Sequence, residues 1–234
     1  MPIKAVLFDF MGTCLDWHSS IISTLPADIP ESIRSDFALT WRQTYFDTNS
    51  ARVASNLPVQ DIDITHTDTL EIMLEKPEYA KYKPYFTPAT KADLISAWHR
   101  QPAWPDVAPA IERLRKRGLE VFVHANGTTR LQLDLCRFAG LRFDMLFSSY
   151  LLGVYKPARE NYTKMLDMIQ RRPEECVTVA AHAYDTRGAK KVGMKTVYIY
   201  RWTDDVNEDQ EEIKKDHDAW LDGMSGLDEA IASL

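Results

Sequence analysis

A carboxylate at the end of a buried strand can serve as a nucleophile, and the N-terminal segment places one there. Asp9 follows the apolar run at 5–8 and precedes a turn at Gly12 and Thr13. The strand would fix the carboxylate, and backbone N–H groups of the turn could surround the oxygen of a bound group. Because aspartate is also common in ordinary turns, this segment alone does not decide the function.

Two further polar residues also follow apolar runs. Asn126 comes after the run at 119–123, and Asp185 comes after the run at 177–180. In open parallel sheets the carboxyl ends of the strands meet at one edge, where ligands bind. We therefore expect Asp9, Asn126 and Asp185 to lie close together.

The alternation of apolar runs with helical patterns predicts an α/β fold. Strands are predicted at 5–8, 119–123, 145–147, 177–180 and 196–200, and helices at 105–117, 129–139, 159–170 and 186–191. Such alternation requires right-handed crossovers, and it predicts a doubly wound parallel sheet with helices on both faces.

Residues 17–98 have a different pattern, mostly helical and rich in prolines and aromatic residues. We expect residues 1–16 and 99–234 to form a Rossmann-like core, with 17–98 as a helical cap over its active edge. The segment 204–215 is dense in charged residues, which predicts an exposed loop and helix.

Composition excludes several classes of partner. The 234-residue chain has a formal net charge of −6 and no run of Lys and Arg that would predict nucleic-acid binding. No apolar run is long enough to span a membrane, and the N-terminus has no signal-peptide pattern. The three cysteines are scattered, which argues against disulfides or a zinc site. We therefore expect a cytoplasmic protein without a nucleic-acid or membrane partner.

Four segments together resemble the motifs of the haloacid dehalogenase superfamily. They are FDFMGTCLD at 8–16, VFVHANG at 121–127, GVYKP at 153–157 and VAAHAYDTRGAKKVGMKTVYIYR at 179–201. The resemblance implies a Rossmann-like core with a helical cap inserted after the first strand. In that family the aspartate of the first motif is the nucleophile, and the lysine of the third neutralises charge around it. These roles fall on Asp9 and Lys156.

Within the superfamily, the motifs are closer to the L-2-haloacid dehalogenase (type II) branch than to the phosphatases. Phosphatases use a second aspartate two residues after the nucleophile and bind Mg²⁺ through fourth-motif carboxylates four residues apart. Met11 stands at the first of these positions, and Ala181 and Asp185 stand at the other two. The general acid and one metal ligand are therefore missing. The resemblance implies a reaction without a metal or another cofactor.

The same resemblance assigns further residues. Arg42, in the segment WRQ, matches the arginine that receives the halide, and Asn126 matches the Asn-Gly of the second motif. Tyr162 stands six residues after the motif lysine, as the family's active-site tyrosine does. The candidate catalytic residues are Asp9, Lys156, Asp185, Arg42, Asn126 and His182. The candidate substrate-binding residues are Phe10, Met11, Thr13, Arg42, Ala125, Asn126 and Tyr162.

The implied reaction has two steps. Asp9 displaces halide from the substrate and forms an aspartyl ester. Water, assisted by Asp185 and Lys156, then attacks the ester and releases a 2-hydroxy acid of inverted configuration.

Several site residues depart from that branch. Met11 replaces a tyrosine, Ala125 and Ala180 replace serines, and His182 replaces an asparagine. The loss of three hydroxyls would weaken recognition of a small substrate's carboxylate. Together with His124, His182 could add general-base capacity near neutral pH.

Three functions stay open on this basis. The first is hydrolysis of the C–halogen bond in a 2-haloacid, a small carboxylic acid. The second is an Asp9-dependent reaction on a larger, non-halogenated substrate, and the third is a non-catalytic binding role. Analogy with relatives also suggests a homodimer formed through the cap helices.

Overall fold

Six parallel strands form the central sheet of the protein, which a computed structural model describes over residues 2–234. The strands are β1 (Ala5–Phe8), β2 (Glu120–Ala125), β3 (Met145–Ser148), β4 (Cys176–Ala180), β5 (Lys195–Tyr200) and β6 (Ala219–Asp222). Their order across the sheet is β3-β2-β1-β4-β5-β6. The prediction of a doubly wound, Rossmann-like α/β fold is confirmed.

The chain changes direction across the sheet at β1. It builds one half through β2 and β3, then crosses to the other side of β1 and continues through β4, β5 and β6. Ligands of open parallel sheets bind at such a switch point, beyond the carboxyl ends of the strands. Asp9, Asn126 and His182 each follow a strand at this place, soon after β1, β2 and β4 respectively.

The predicted cap region is helical throughout most of its length. Its elements are α1 (Trp17–Thr24), α2 (Glu31–Ala54), α3 (Ile62–Glu75), a 3₁₀ helix (Ala80–Tyr85) and α4 (Pro88–Ala97). Side-chain oxygens of Asp16, Asp61 and Thr87 accept hydrogen bonds from backbone N–H groups in the first turns of α1, α3 and α4. These caps satisfy donors that have no partner inside a helix, which is why the helices begin where they do.

Helices cover both faces of the sheet. They are α5 (Val107–Lys116), α6 (Thr129–Ala139), α7 (Ser149–Leu152), α8 (Arg159–Ile169), α9 (Ala183–Val192), α10 (Gln210–Asp216) and α11 (Leu227–Ala232). Successive side chains of β1 point to opposite faces. Val6 and Phe8 join a core shared with α5, α6 and the helical insertion, whereas Leu7 packs with Tyr162 of α8 and Ala189 of α9. Both faces of β1 are therefore apolar, and the whole strand is buried.

The structure differs from the sequence prediction in several elements of the C-terminal half, among them the start of α9 and the unpredicted α7, β6 and α11. Helix α9 begins at Ala183 instead of 186. The sequence prediction missed this start because the N-cap residue, His182, is not one of the usual capping residues and makes no side-chain capping hydrogen bond. The edge strand β6 was not predicted, since four residues (AWLD) are too few to establish a period. No helix in the described chain is long and apolar enough to cross a lipid bilayer.

Candidate active site

Asp9 lies at the base of a cavity of about 560 Å³. Its backbone N–H donates to the carbonyl of Val179 on β4 at 3.0 Å, which anchors the residue between two central strands. The predicted site residues that line the cavity are Asp9, Met11, Arg42, Ala125, Asn126, Lys156 and His182. The sheet edge and the insertion thus contribute to one pocket.

Lys156 connects the two predicted carboxylates. Its Nζ donates to Asp9 Oδ1 at 2.9 Å, to Asp185 Oδ2 at 2.5 Å and to the carbonyl of His124 at 2.7 Å. Burial alone would lower the pKa of Lys156, but the charges of Asp185 and Asp9 outweigh it and raise the pKa. The ammonium is therefore charged and has three acceptors.

The electrostatics around Asp9 favour its ionised form. Burial raises the pKa of the Asp9 carboxyl, but the cations of Lys156 and His182 outweigh burial and hold the pKa well below its usual range. Thr13 adds a hydrogen bond from its hydroxyl to Asp9 Oδ2 at 2.7 Å. A carboxylate in this setting is available as a nucleophile at neutral pH.

Asp185 and Tyr162 lie behind Lys156, outside the cavity wall. The Tyr162 hydroxyl donates to Asp185 Oδ1 at 2.7 Å, and both residues are fully buried. Burial raises the pKa of Tyr162 well above its ordinary value, so the phenol stays protonated. Asp185 is connected to Asp9 through the shared contact with Lys156. Tyr162, which was predicted to bind substrate, contacts Asp185 and does not line the cavity.

His182 bridges two carboxylates. Its Nδ1 lies 2.8 Å from Asp9 Oδ2, and its Nε2 lies 2.9 Å from Asp204 Oδ1. A carboxylate can only accept, so each ring nitrogen must carry a proton. Burial would lower the pKa of His182, but Asp9 and Asp204 raise it to about 10. The expectation that His182 supplies a base near neutral pH is therefore wrong, since the ring is an imidazolium ion.

His124 is also unsuited to act as a base in the cavity. Its side chain is buried, packs edge-on against Tyr162 and pairs through Nε2 with Asn161 Oδ1 at 2.5 Å. Burial lowers the pKa of His124 to about 3, with Lys156 contributing in the same direction. The sequence-based expectation for this residue is wrong as well.

Asp204 is a site residue that sequence reasoning missed. It belongs to the segment predicted to be exposed, yet it is only 3% exposed. Besides His182, it accepts hydrogen bonds from Thr203 Oγ1 at 2.7 Å and from Trp17 Nε1 at 3.2 Å. Burial raises the pKa of Asp204, but the hydrogen bond and charge of His182 outweigh burial and lower it. Its place soon after strand β5, like that of Asp9 after β1, is the signal that could have identified it.

Arg42 lines the cavity and carries a buried cation with unpaired donors. The guanidinium lies over Phe46, with its Cζ atom 4.5 Å from the ring centroid, and Nη2 donates to the carbonyl of Met11 at 3.4 Å. No hydrogen bond within residues 2–234 reaches Nε or Nη1, although both are buried. A buried cation with two unpaired N–H donors is a favourable site for an anion.

Asn126 positions the loop that carries Lys156. Its Oδ1 accepts from the backbone N–H of Lys156 at 2.9 Å, and its Nδ2 donates to the Lys156 carbonyl at 3.3 Å. Phe10 packs edge-on against Phe143 and, like Thr13, lies outside the cavity wall. The assignment of Phe10 and Thr13 to substrate binding stays a prediction.

The carboxylates around Asp9 do not fit a divalent cation. Such an ion requires hard oxygen ligands that are free to coordinate it. The Lys156 ammonium already joins Asp9 to Asp185, and the His182 imidazolium holds the second oxygen of Asp9. A further positive ion at Asp9 would be repelled by both cations.

Comparison with known proteins identifies the family. A model of the haloacid dehalogenase-like hydrolases matches residues 3–193. The chain belongs to this family. The hydrolase is 27% identical over 201 residues to (S)-2-haloacid dehalogenase 4A of Burkholderia cepacia, a match covering 85% of this chain and 84% of that protein. It is 25% identical over 235 residues to (S)-2-haloacid dehalogenase 1 of Pseudomonas sp. (strain CBS-3), covering 100% and 98% of the two chains.

The fold of this haloacid dehalogenase-like hydrolase also resembles a solved relative. The crystal structure of an L-2-haloacid dehalogenase superposes with a TM-score of 0.83 at 29% sequence identity. The superposition covers 99% of this chain and 100% of the other. The family predicted from the four motifs is confirmed.

The ion pairs of Lys156 lead to a prediction about stability. Replacing Lys156 with methionine should lower the free energy of unfolding by about 3–5 kcal/mol near pH 7.5, because two buried carboxylates lose their shared cation. With lysine present the pKa of Asp9 is lower in the folded than in the unfolded protein. The ionised Asp9 therefore stabilises the fold at pH values above its unfolded pKa, and this stabilisation is lost as the pH falls through its folded pKa. Without lysine, burial raises the pKa of the carboxyls, and the destabilisation should shrink between pH 7.5 and pH 5. Urea unfolding at both pH values measures this.

Lys164 provides a matched control on α8. It forms an exposed pair with Glu160, and its replacement by methionine should change the free energy of unfolding by at most about 0.5 kcal/mol. A Lys156→Met variant that loses the same stability at both pH values would contradict the inference that the Lys156 ammonium lowers the pKa of Asp9.

Proposed function

We propose that this hydrolase cleaves the carbon–halogen bond of an (S)-2-haloacid and releases the 2-hydroxy acid of inverted configuration. One observation carries the proposal: Asp9, which is held in its ionised form, and Arg42, whose guanidinium has unpaired N–H donors, line the same cavity. Displacement of a halide requires a nucleophile on one side of a carbon and stabilisation of the departing anion on the other. The names of the relatives agree with this pairing.

In the first step, one oxygen of Asp9 attacks Cα of the substrate. A C–O bond forms, the carbon–halogen bond breaks, and the halide leaves with the bonding electrons toward Arg42. The rings around Arg42, including Phe46 and Tyr45, exclude water from the guanidinium and strengthen its attraction for an anion. The product of this step is an ester at Asp9.

In the second step, water adds to the carboxyl carbon of the Asp9 ester. The bond between that carbon and the oxygen bound to substrate then breaks, and the 2-hydroxy acid departs. Lys156 lies next to the reacting carboxyl and Asp185 holds Lys156 in place, so both support this step. Asp9 returns to its carboxylate form, and one proton from water is released.

A second candidate function is an Asp9-dependent reaction on a larger substrate. The cavity of about 560 Å³ is within the range of roughly 300–1,000 Å³ typical of pockets for drug-sized ligands. Leu39, Phe46 and Val53 contribute apolar side chains to its lining, and Ala125 offers no hydroxyl to a small carboxylate. These features favour substrates with a longer apolar chain.

The test is halide release from purified protein in the presence of EDTA. The panel contains L- and D-2-haloacids from three carbons to about ten, together with non-halogenated esters of the same chain lengths. Stereospecific halide release from the L-acids is the expected result, and the chain length with the highest kcat/KM distinguishes a small from a larger substrate. Hydrolysis of the esters without any halide release would overturn the proposal in favour of the second candidate.

A further inference from the structure

The two oxygens of Asp9 have different surroundings. Oδ1 accepts from Lys156 Nζ at 2.9 Å, whereas Oδ2 accepts from Thr13 Oγ1 at 2.7 Å and from His182 Nδ1 at 2.8 Å. If Oδ1 attacks the substrate, Oδ2 becomes the carbonyl oxygen of the ester. Addition of water to the ester then places negative charge on Oδ2, which already has two donors directed at it.

The donors to Oδ2 are fixed by their other partners. Thr13 Oγ1 accepts from the backbone N–H of Ala181 at 2.8 Å, which leaves its proton for Oδ2. His182 is held through its Nε2 by Asp204 at 2.9 Å. Fixed donors around a developing negative charge are the arrangement that stabilises oxyanions in acyl transfer.

The importance of Asp204 changes during the reaction. In the free enzyme both Asp9 and Asp204 stabilise the imidazolium of His182. Once Asp9 is an ester it has no negative charge, and Asp204 is then the remaining carboxylate in contact with the ring in the described chain. Without it, a buried histidine beside a neutral ester would lose its proton more readily.

We propose that Asp204 is a positioning residue that keeps His182 protonated and directed at Asp9 Oδ2, so that His182 and Thr13 form an oxyanion hole for hydrolysis of the Asp9 ester. The proposal rests on the proposed function, because it requires that ester. Water bonds to the carboxyl carbon, charge collects on Oδ2, and collapse breaks the bond to Oδ1. One proton of the water ends on the product hydroxyl, and the other is released as Asp9 regains its charge.

Neighbouring residues orient the Asp204 carboxylate toward His182. Trp17 and Thr203 donate to its Oδ2, so that Oδ1 faces His182. Gly12 has a positive φ of 85°, and a Cβ atom at this position would clash with the Asp204 carboxylate. The glycine therefore leaves the space that the carboxylate occupies beside the catalytic turn.

The test separates the two chemical steps in the Asp204→Asn variant, whose amide keeps the shape of the side chain. We expect the first equivalent of halide to appear within about threefold of the wild-type rate, and kcat to fall by about 10²-fold, as for loss of an oxyanion donor. Intact-mass measurement during turnover should find the enzyme carrying the mass of the substrate without its halogen. The hydrolysis rate of the variant should decrease as the pH rises through neutrality, while that of the wild type stays level.

The His182→Asn variant and the double variant complete the design. If Asp204 acts through His182, the double variant should hydrolyse the ester at the rate of His182→Asn alone, because the two losses are not additive. Equal slowing of halide release and turnover in Asp204→Asn, with no accumulated ester, would overturn this inference while leaving the proposed function intact. Absence of halide release from the wild type would overturn both.

Discussion

Replacing Asp9 with asparagine is expected to reduce halide release by on the order of 10⁴-fold or more, the largest effect of any substitution considered. The amide keeps the size of the side chain but has neither the charge nor the nucleophilic oxygen that displaces halide in the proposed reaction. Its surroundings retain Lys156 and Thr13, so the cavity keeps its shape. The measurement is the initial rate of halide release from the best L-2-haloacid under saturating conditions.

Asp16 provides the matched control for this substitution. Its carboxylate caps α1 by accepting from the backbone N–H of Ser19, a role that asparagine also performs well. The Asp16→Asn variant should retain halide release within about twofold of the wild type. Residual activity above about 1% in a homogeneous preparation of Asp9→Asn would be incompatible with Asp9 as the nucleophile.

Replacing Arg42 with methionine is expected to lower kcat/KM for halide release by on the order of 10²–10³-fold, the typical cost of removing a donor to a developing anion. Methionine fills a similar volume against Phe46 but offers no N–H group and no charge. Because the departing halide is most negative late in the displacement, most of the loss should appear in the rate of the first turnover. Rapid-quench measurement of the halide burst separates a loss in the rate of halide displacement from a loss in substrate binding.

Two further variants define what Arg42 contributes. Arg42→Lys keeps the charge but loses the planar donors, so it should recover only part of the activity. Arg34→Met changes an arginine of the same helix, α2, whose Nε bonds to the carbonyl of Ile29 away from the cavity. This control should leave the burst rate within about twofold of wild type, and an equal loss in both methionine variants would show that α2 packing is responsible instead.

The sequence predicted the parts of the site that are local. Asp9, Asn126 and Lys156 each stand at a strand end or in a loop with a recognisable motif, and the parallel sheet brings the strand ends together. The order of four motifs was sufficient to identify the family and the fold. Each of these residues lies in a short motif, so the order and spacing of the motifs in the chain were enough to predict its place in the site.

Contacts between distant segments could not be predicted in the same way. Asp204 lies among exposed charges in the sequence, and its burial depends on Trp17, a residue 187 positions away. The protonation of His182 likewise depends on two carboxylates from separate loops, so an isolated histidine suggested a base near neutral pH. Arg42 was predicted from its segment, but the unpaired state of its donors follows from how α2 packs over the sheet edge.

The charged side chains of the site have a consequence for the order of binding and release. Asp9, Lys156, Asp185, His182 and Asp204 form one cluster of ion pairs, and with Arg42 these six groups comprise three formal cations and three carboxylates. The six groups balance in charge, and in the proposed reaction a bound haloacid anion gives them one excess negative charge. At the ester stage Asp9 has lost its charge and the halide has left, so the total charge of the six groups and the substrate is again zero. When hydrolysis regenerates the Asp9 carboxylate beside the hydroxy-acid anion, there is again one excess negative charge. In the proposed reaction these six groups and the substrate are therefore balanced in charge at the covalent stage, and the excess negative charge favours the departure of both halide and product.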